Sequence, residues 1–164
     1  MTRRERRLLL SAMAAGLAIA AWKLAPLMEK PGPPQGTSSC DATLWNAVYR
    51  PERLVIIEPC KTVEGTIFLV RPQKDGDLHI LLDVADPSLL NDVNWTRQQG
   101  MLVLEPICQE EPTQRSAILP CRNYSGQYFY VLKGMRVRVT GAYVLDRDHG
   151  WMEIHPVTSI VPIP

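Results

Sequence analysis

Residues 134–160 read G-M-R-V-R-V-T-G-A-Y-V-L-D-R-D-H-G-W-M-E-I-H-P-V-T-S-I, two alternating apolar runs around a short polar turn. Alternation at period two is the mark of a strand with one buried face, so this stretch is expected to be a β-hairpin. On its incoming arm Val137, Val139 and Gly141 share one face, and Arg136, Arg138 and Thr140 share the other. On the outgoing arm Trp151, Glu153, His155 and Val157 alternate with Met152, Ile154 and Pro156. Met152 and Ile154 are assigned to the core. Trp151, Glu153 and His155 then fall on the outer face or near the barrel mouth, below Asp146, Asp148 and His149 in the turn.

Upstream, Leu54–Ile57 and Val63–Val70 are rich in β-branched residues, with Pro59 and Gly65 as points of bend or bulge in one coiled strand. Lys74-Asp75-Gly76-Asp77 is a hairpin turn leading into a second strand, Leu78–Val84. Asp86–Gly100, broken by Pro87, Asn91 and Asn94, reads as a loop with one helical turn, and Met101–Cys108 as a third strand. A short helix over Thr113–Cys121 follows, and Tyr128–Leu132 leads into the hairpin. Ahead of all this, Asp41 caps a short helix through Tyr49. The chain is therefore expected to be mostly β. The order of elements fits a small five-stranded Greek-key barrel of the oligonucleotide/oligosaccharide-binding (OB-like) type, with the helix between strands 3 and 4 plugging the barrel. A small sandwich is the alternative.

The amino terminus has a different character. Arg3, Arg4, Arg6 and Arg7 precede an apolar run beginning at Leu8, which extended to Met28 gives about 31 Å of helix. Residues 1–28 are read as a signal peptide or, preferentially, an uncleaved transmembrane anchor; Ala18-Ile19-Ala20 is the competing cleavage signal. Residues 29–39, E-K-P-G-P-P-Q-G-T-S-S, are a Pro-rich linker, and 40–164 the barrel domain. Arginines on the near side place the domain outside the cytoplasm, in the periplasm or at the cell surface, tethered to the inner membrane. Residues 1–30 hold six Lys/Arg against two Asp/Glu, leaving twelve against fifteen in the remainder. A slightly acidic domain is a poor partner for phosphate backbones, so nucleic acid is disfavoured.

Export suits the four cysteines. Three pairings are open; Cys108 with Cys121 is the natural local one, leaving Cys40 with Cys60. No C-x-x-C is present and no cysteine neighbours a histidine, so no metal ligand set is assigned and no cofactor is expected.

The candidate ligand-binding residues are His79, Asp146, Asp148, His149, Trp151, Glu153 and His155. Three readings compete for them. In the structural one the aspartates cap the turn, Gly150 takes a positive φ and Glu153 pairs with Arg136 or Arg138. In the second, Trp151 is a stacking platform for a sugar or base. In the third, His149, Glu153 and His155, joined by His79, form a metal or acid/base site. Asn94-Trp95-Thr96 and Asn123-Tyr124-Ser125 fit the glycosylation pattern, a match common by chance.

The run V-R-V-T-G-A-Y-V from Val137, followed by Asp146, H-G-W at 149–151 and E-I-H-P at 153–156, resembles the end of a family of uncharacterised bacterial barrel proteins. Asp75-Gly76-Asp77 with His79, and Glu105, resemble the family's other recurring points, so that the resemblance spans most of 53–160. It implies the barrel and no activity. The expectation is an exported, membrane-anchored binding or scaffold domain without catalysis, for a small ligand, glycan or protein. The alternative is a metal-dependent or hydrolytic enzyme at the hairpin.

Overall fold

A computed structural model describes residues 40–122 and 124–164. The expected anchor and linker lie outside them. Among the described residues no helix is long and apolar enough to cross a membrane.

Five strands carry the fold: β1 (Leu54–Pro72), β2 (Leu78–Val84), β3 (Leu102–Leu104), β4 (Arg136–Asp146) and β5 (Met152–Pro162). Their pairing runs β1-β2-β3-β5-β4 and closes as β4 returns to β1. All ladders are antiparallel except β3 with β5, which is parallel. The long first strand makes closure possible, because its first half pairs with β4 and its second half with β2. At Gly65 both partners meet it, Val84 on one side and Val137 on the other. A Cβ there would sit 2.4 Å from the Asp83 carbonyl oxygen, so the crossing requires glycine. Pro59 lies where the β1/β4 register shifts, between Glu58 and Lys61, as a residue without an N–H must.

Inside the barrel, Val63, Ile67, Leu78, Ile80, Leu82, Leu102, Leu104, Val137, Val139, Tyr143, Ile154 and Val157 form one buried cluster. Val157 was expected opposite Ile154. It joins it because Gly141 pairs with Val157 and Tyr143 with Ile154, so β5 carries one extra residue at 155–156, where the His155–Pro156 peptide is cis. Met152 is only partly buried and packs at the edge of the cluster.

Outside the barrel lies a second buried layer. Leu54, Ala142 and Val144 from the outer faces of β1 and β4 pack with Leu44, Ala47 and Val48 of the amino-terminal 3₁₀ segment (Ala42–Ala47 and its cap) and with Ile107 and Cys108. Asp41 caps that segment through Thr43 N, as expected. The disulfide Cys40–Cys60 fastens this layer to β1, and Cys108–Cys121 ties the loop after β3 to the turn that ends at Cys121. The short helix expected over Thr113–Cys121 is a 3₁₀ turn, Arg115–Ala117, running into the single turn α2 (Ile118–Cys121), and the helix α1 (Asp92–Arg97) has already appeared between β2 and β3. The α2 turn does not plug the barrel. Its Cys121 packs on the outer cluster, while Leu89, from the 3₁₀ turn Pro87–Leu89, enters the inner core and takes a hydrogen bond from Tyr143 on its carbonyl. The third strand is also shorter than expected, because after Leu104 the chain leaves the sheet and Pro106 has no N–H to donate. Residues 128–132 form no strand; Phe129 and Val131 face the core, and Tyr128, Tyr130 and Leu132 face solvent.

Candidate functional site

The turn after β4 is built on Asp146, whose Oδ1 accepts from the N–H groups of Asp148 and His149. Gly150 takes the expected positive φ of 88° and closes the turn on the Asp146 carbonyl. Asp148 points away to an ion pair with Arg50 at 3.0 Å and belongs to no site.

Glu153 and His155 depart from the sequence expectation. They do occupy the outer face of β5, opposite Ile154, yet both are fully buried. The reason is the cover: α1 with its flanks (91–100) and the loop 105–108 lie against the outer face, and what meets them there is polar. Glu153 does not pair with Arg136 or Arg138; Arg138 bridges Glu64 across β1 instead, and Arg136 reaches the Pro164 carbonyl. The outer position of Glu153 is filled by Trp151, whose indole Nε1–H donates to its Oε2 at 2.7 Å, and by His155, whose Nδ1 lies 3.0 Å from its Oε1.

His155 Nδ1 is also 3.0 Å from Glu105 Oε2. Glu105 stands just past β3, held by its N–H to the Ile154 carbonyl, so the parallel β3/β5 pairing sets it beside His155. Its Oε1 meets His79 Nδ1 at 3.2 Å, and Gln98 Oε1 meets His79 Nε2 at the same distance. Arg53, 7% exposed, lies between Asp146 (3.1 Å) and Glu105 (3.7 Å). Asp146 Oδ2 also receives His149 Nδ1 at 2.8 Å. One chain of charge-assisted contacts therefore runs from His149 through Asp146, Arg53, Glu105 and His155 to Glu153, with His79 attached. Six of the seven candidate residues join it, Asp148 alone standing apart.

Burial alone would depress the two buried histidines. Their carboxylate partners outweigh it. His155 rises to about 10 through Glu105 and Glu153, and His79 rises through Glu105. Glu105 is held far below the usual carboxylate range, the hydrogen bonds from both histidines exceeding its desolvation. Glu153 is displaced upward, first by burial and then by the charge of Glu105.

Trp151 is not a free stacking platform. His149 lies flat on it, ring centroids 4.4 Å apart and 1° from parallel, and His79 meets it edge-on at 5.7 Å. The ring offered to solvent is that of His149, whose side chain is 48% exposed.

Beyond His155 the network meets Asp77, buried at the entrance to β2. Its Oδ1 accepts the Cys108 N–H at 2.8 Å, while Oδ2 faces His155 Nε2 across 4.0 Å. Among the described residues these two atoms are the buried side-chain polar atoms without a hydrogen-bond partner. Asp77, Glu105 and His155 each offer a ligand atom, all within 4.8 Å of one another. Burial, with the charges of Asp75 and Glu105, outweighs the pull of His155 and sets the Asp77 carboxyl at about 7.

Arg53, Gln98 and Asn94 were missed in the sequence. Asn94, read as a breaker, is fully buried at N3 of α1: its amide donates to the carbonyls of Met101 and Met152, its oxygen accepts from Met152 N, and no part of it is open to glycosylation. The signal was available in Asn91-x-x-Asn94, a capping box before an apolar position. Arg53 carried no signal, since nothing local separates a buried arginine from an exposed one. Asn123 lies outside the described residues. No protein-family model matches the chain, and no curated protein matches it in sequence.

Proposed function

We propose that this chain is an exported, membrane-anchored binding and scaffold domain of the OB-like kind, without catalytic chemistry at its terminal hairpin. The strand order and the parallel β3/β5 closure support the OB-like reading. The two disulfides are compatible with an oxidising compartment. The observation that carries the non-catalytic reading is the burial of Asp146, Glu153 and His155, each at 0% exposure and each occupied by a neighbour's charge. A general acid or base must reach a substrate proton, and these buried groups are met by neighbouring groups of the domain. The domain leaves an apolar stripe to solvent: Tyr128, Tyr130 and Leu132 alternate outward along 128–132, beside Phe68. A protein partner suits that stripe better than a nucleic acid, which the acidic balance of the domain opposes.

A metal-dependent activity is the second reading, favoured by the facing orphan atoms of Asp77 and His155. Elemental analysis of the purified full chain separates the two. Metal well below one equivalent is expected. A stoichiometric metal that is lost from a folded His155→Gln protein would overturn the proposal. For the partner, a photo-crosslinking residue in place of Tyr130 should yield protein adducts in the producing cells, and one in place of Thr62 should not. Equal yields at both positions would remove the stripe as the binding face.

A further inference from the structure

The cavity outside Asp77 leads to a different chemistry from that of the hairpin. Cys108 is buried, held by its N–H to Asp77, whereas Cys121 is only partly buried. Both line an open cavity of about 380 Å³, walled by Pro112, Ile118 and Tyr128 with Arg122 and Glu110 at its rim. A carboxylate oxygen of Asp77 lies within 4.8 Å of both sulfurs. The disulfide thus has one half only partly buried at the cavity wall and, beside it, a buried carboxyl with an oxygen to spare.

We propose that Cys108–Cys121 is an exchangeable disulfide that accepts electrons from the dithiol of a second protein, with Asp77 as the proton donor to Cys108. A partner thiol, its proton lost to solvent, attacks Cys121 Sγ from the cavity. The Cys108–Cys121 bond breaks and Cys108 leaves, taking the proton of the Asp77 carboxyl. The partner's second thiol loses its proton to solvent and attacks its own sulfur in the mixed disulfide, and the Asp77 carboxylate regains its proton from solvent. Cys121 leaves as thiolate and is protonated from solvent. The partner's dithiol has become a disulfide, two electrons have moved, and Asp77 is restored. Leaving sulfurs depart faster when protonated or stabilised, which is the role given to the carboxyl. Arg122, beside Cys121, favours the thiolate formed there.

The groups facing Asp77 are Asp75 from the β1–β2 turn, Glu105 after β3, His155 on β5 and the Cys108 N–H, and Tyr124 senses its charge. Together they leave the carboxyl protonated up to about pH 7.

The test uses the full chain, dithiothreitol as the dithiol, and thiol trapping with mass mapping of each cysteine between pH 5.5 and 8.5. The Cys108–Cys121 rate, expressed per dithiothreitol thiolate, is expected to fall by about tenfold as pH rises through the Asp77 range. Cys40–Cys60 serves as internal reference and should show no such break. Asp77→Asn, which keeps an acceptor for the Cys108 N–H, should flatten the profile at its lower level. A profile without the break, the same break at Cys40–Cys60, or reduction of Cys108–Cys121 only together with loss of the near-ultraviolet dichroism would overturn the proposal. Should the Asn variant not fold, the wild-type comparison of the two disulfides decides alone.

Discussion

His155 is the group through which the buried network should make itself felt in solution. Its folded value of about 10 lies above the ordinary 6.5, so the folded state holds a proton that the unfolded chain releases near neutrality. The resulting stabilisation is fully present below pH 6.5 and is lost as pH rises through about 10. One bound proton corresponds to a slope of about 1.4 kcal/mol per pH unit. Between pH 8 and 10, above the range in which Asp77 titrates, the contribution should decline by about 2 kcal/mol once the rounding near its end is included. His155→Gln retains a donor for one carboxylate but no titrating charge. At pH 8 it should be destabilised by about 3 kcal/mol, because Glu105 and Glu153 lose the cation between them. The deficit should then narrow by about 2 kcal/mol at pH 10, as the wild type gives up its own proton. Equilibrium urea unfolding with intact disulfides, followed by tryptophan fluorescence, measures both. A deficit that stays constant across that interval would mean that His155 is neutral in the fold, and the account of the network as a charged one would be refuted.

Two further changes probe the frame around it. Gly141→Ala places a Cβ 2.5 Å from both the Pro156 carbonyl oxygen and Ile154 Cγ2, where β4 crosses the bulge of β5; a loss of about 2 kcal/mol in chemical denaturation is expected, and an unchanged midpoint would show that the bulge yields freely. Arg53→Met removes the cation that lies between Asp146 and Glu105 while keeping much of the side-chain volume, and should lower stability at pH 7 by about 3–5 kcal/mol; a melting temperature within a degree of wild type would show that the remaining histidines neutralise both carboxylates.

Period two and turn chemistry made most of the sheet legible. Leu78–Val84 is β2 with the expected bounds, Val137 and Val139 face the core, and Gly150 and Asp146 shape the turn as their residue types demand. Alternation reports which side of a strand a residue occupies, and nothing about what covers that side. Glu153 and His155 lie on the outer face of β5 as expected, but their full burial was not legible, because Glu105, which meets His155 there, is distant in sequence. Tyr128–Leu132, read only as the lead into the hairpin, forms no strand, and β1 takes its second partner in β2. The bulge that turns Val157 inward is likewise invisible locally, being fixed by the pairing of Gly141 and Tyr143 across the sheet.

The charge state of the network follows from its geometry without reference to any titration. Four carboxylates, Asp77, Glu105, Asp146 and Glu153, are buried together, and among the described residues Arg53 is the one permanent cation buried with them. Neutral histidines would leave three negative charges inside the wall, a burden of several kcal/mol each. His155 is placed to relieve it: Nδ1 has Glu105 and Glu153 at 3.0 Å, and Nε2 looks toward Asp77 across 4.0 Å, so carboxylates stand before both nitrogens. Only the doubly protonated ring can donate in both directions. The gap on the Nε2 side is too wide for a direct hydrogen bond, which leaves Asp77 the least compensated member and the one most ready to hold a proton. The same imbalance that makes His155 a fixed cation thus makes Asp77 an acid at neutral pH, and it does so on the side of the network that faces the Cys108–Cys121 sulfurs.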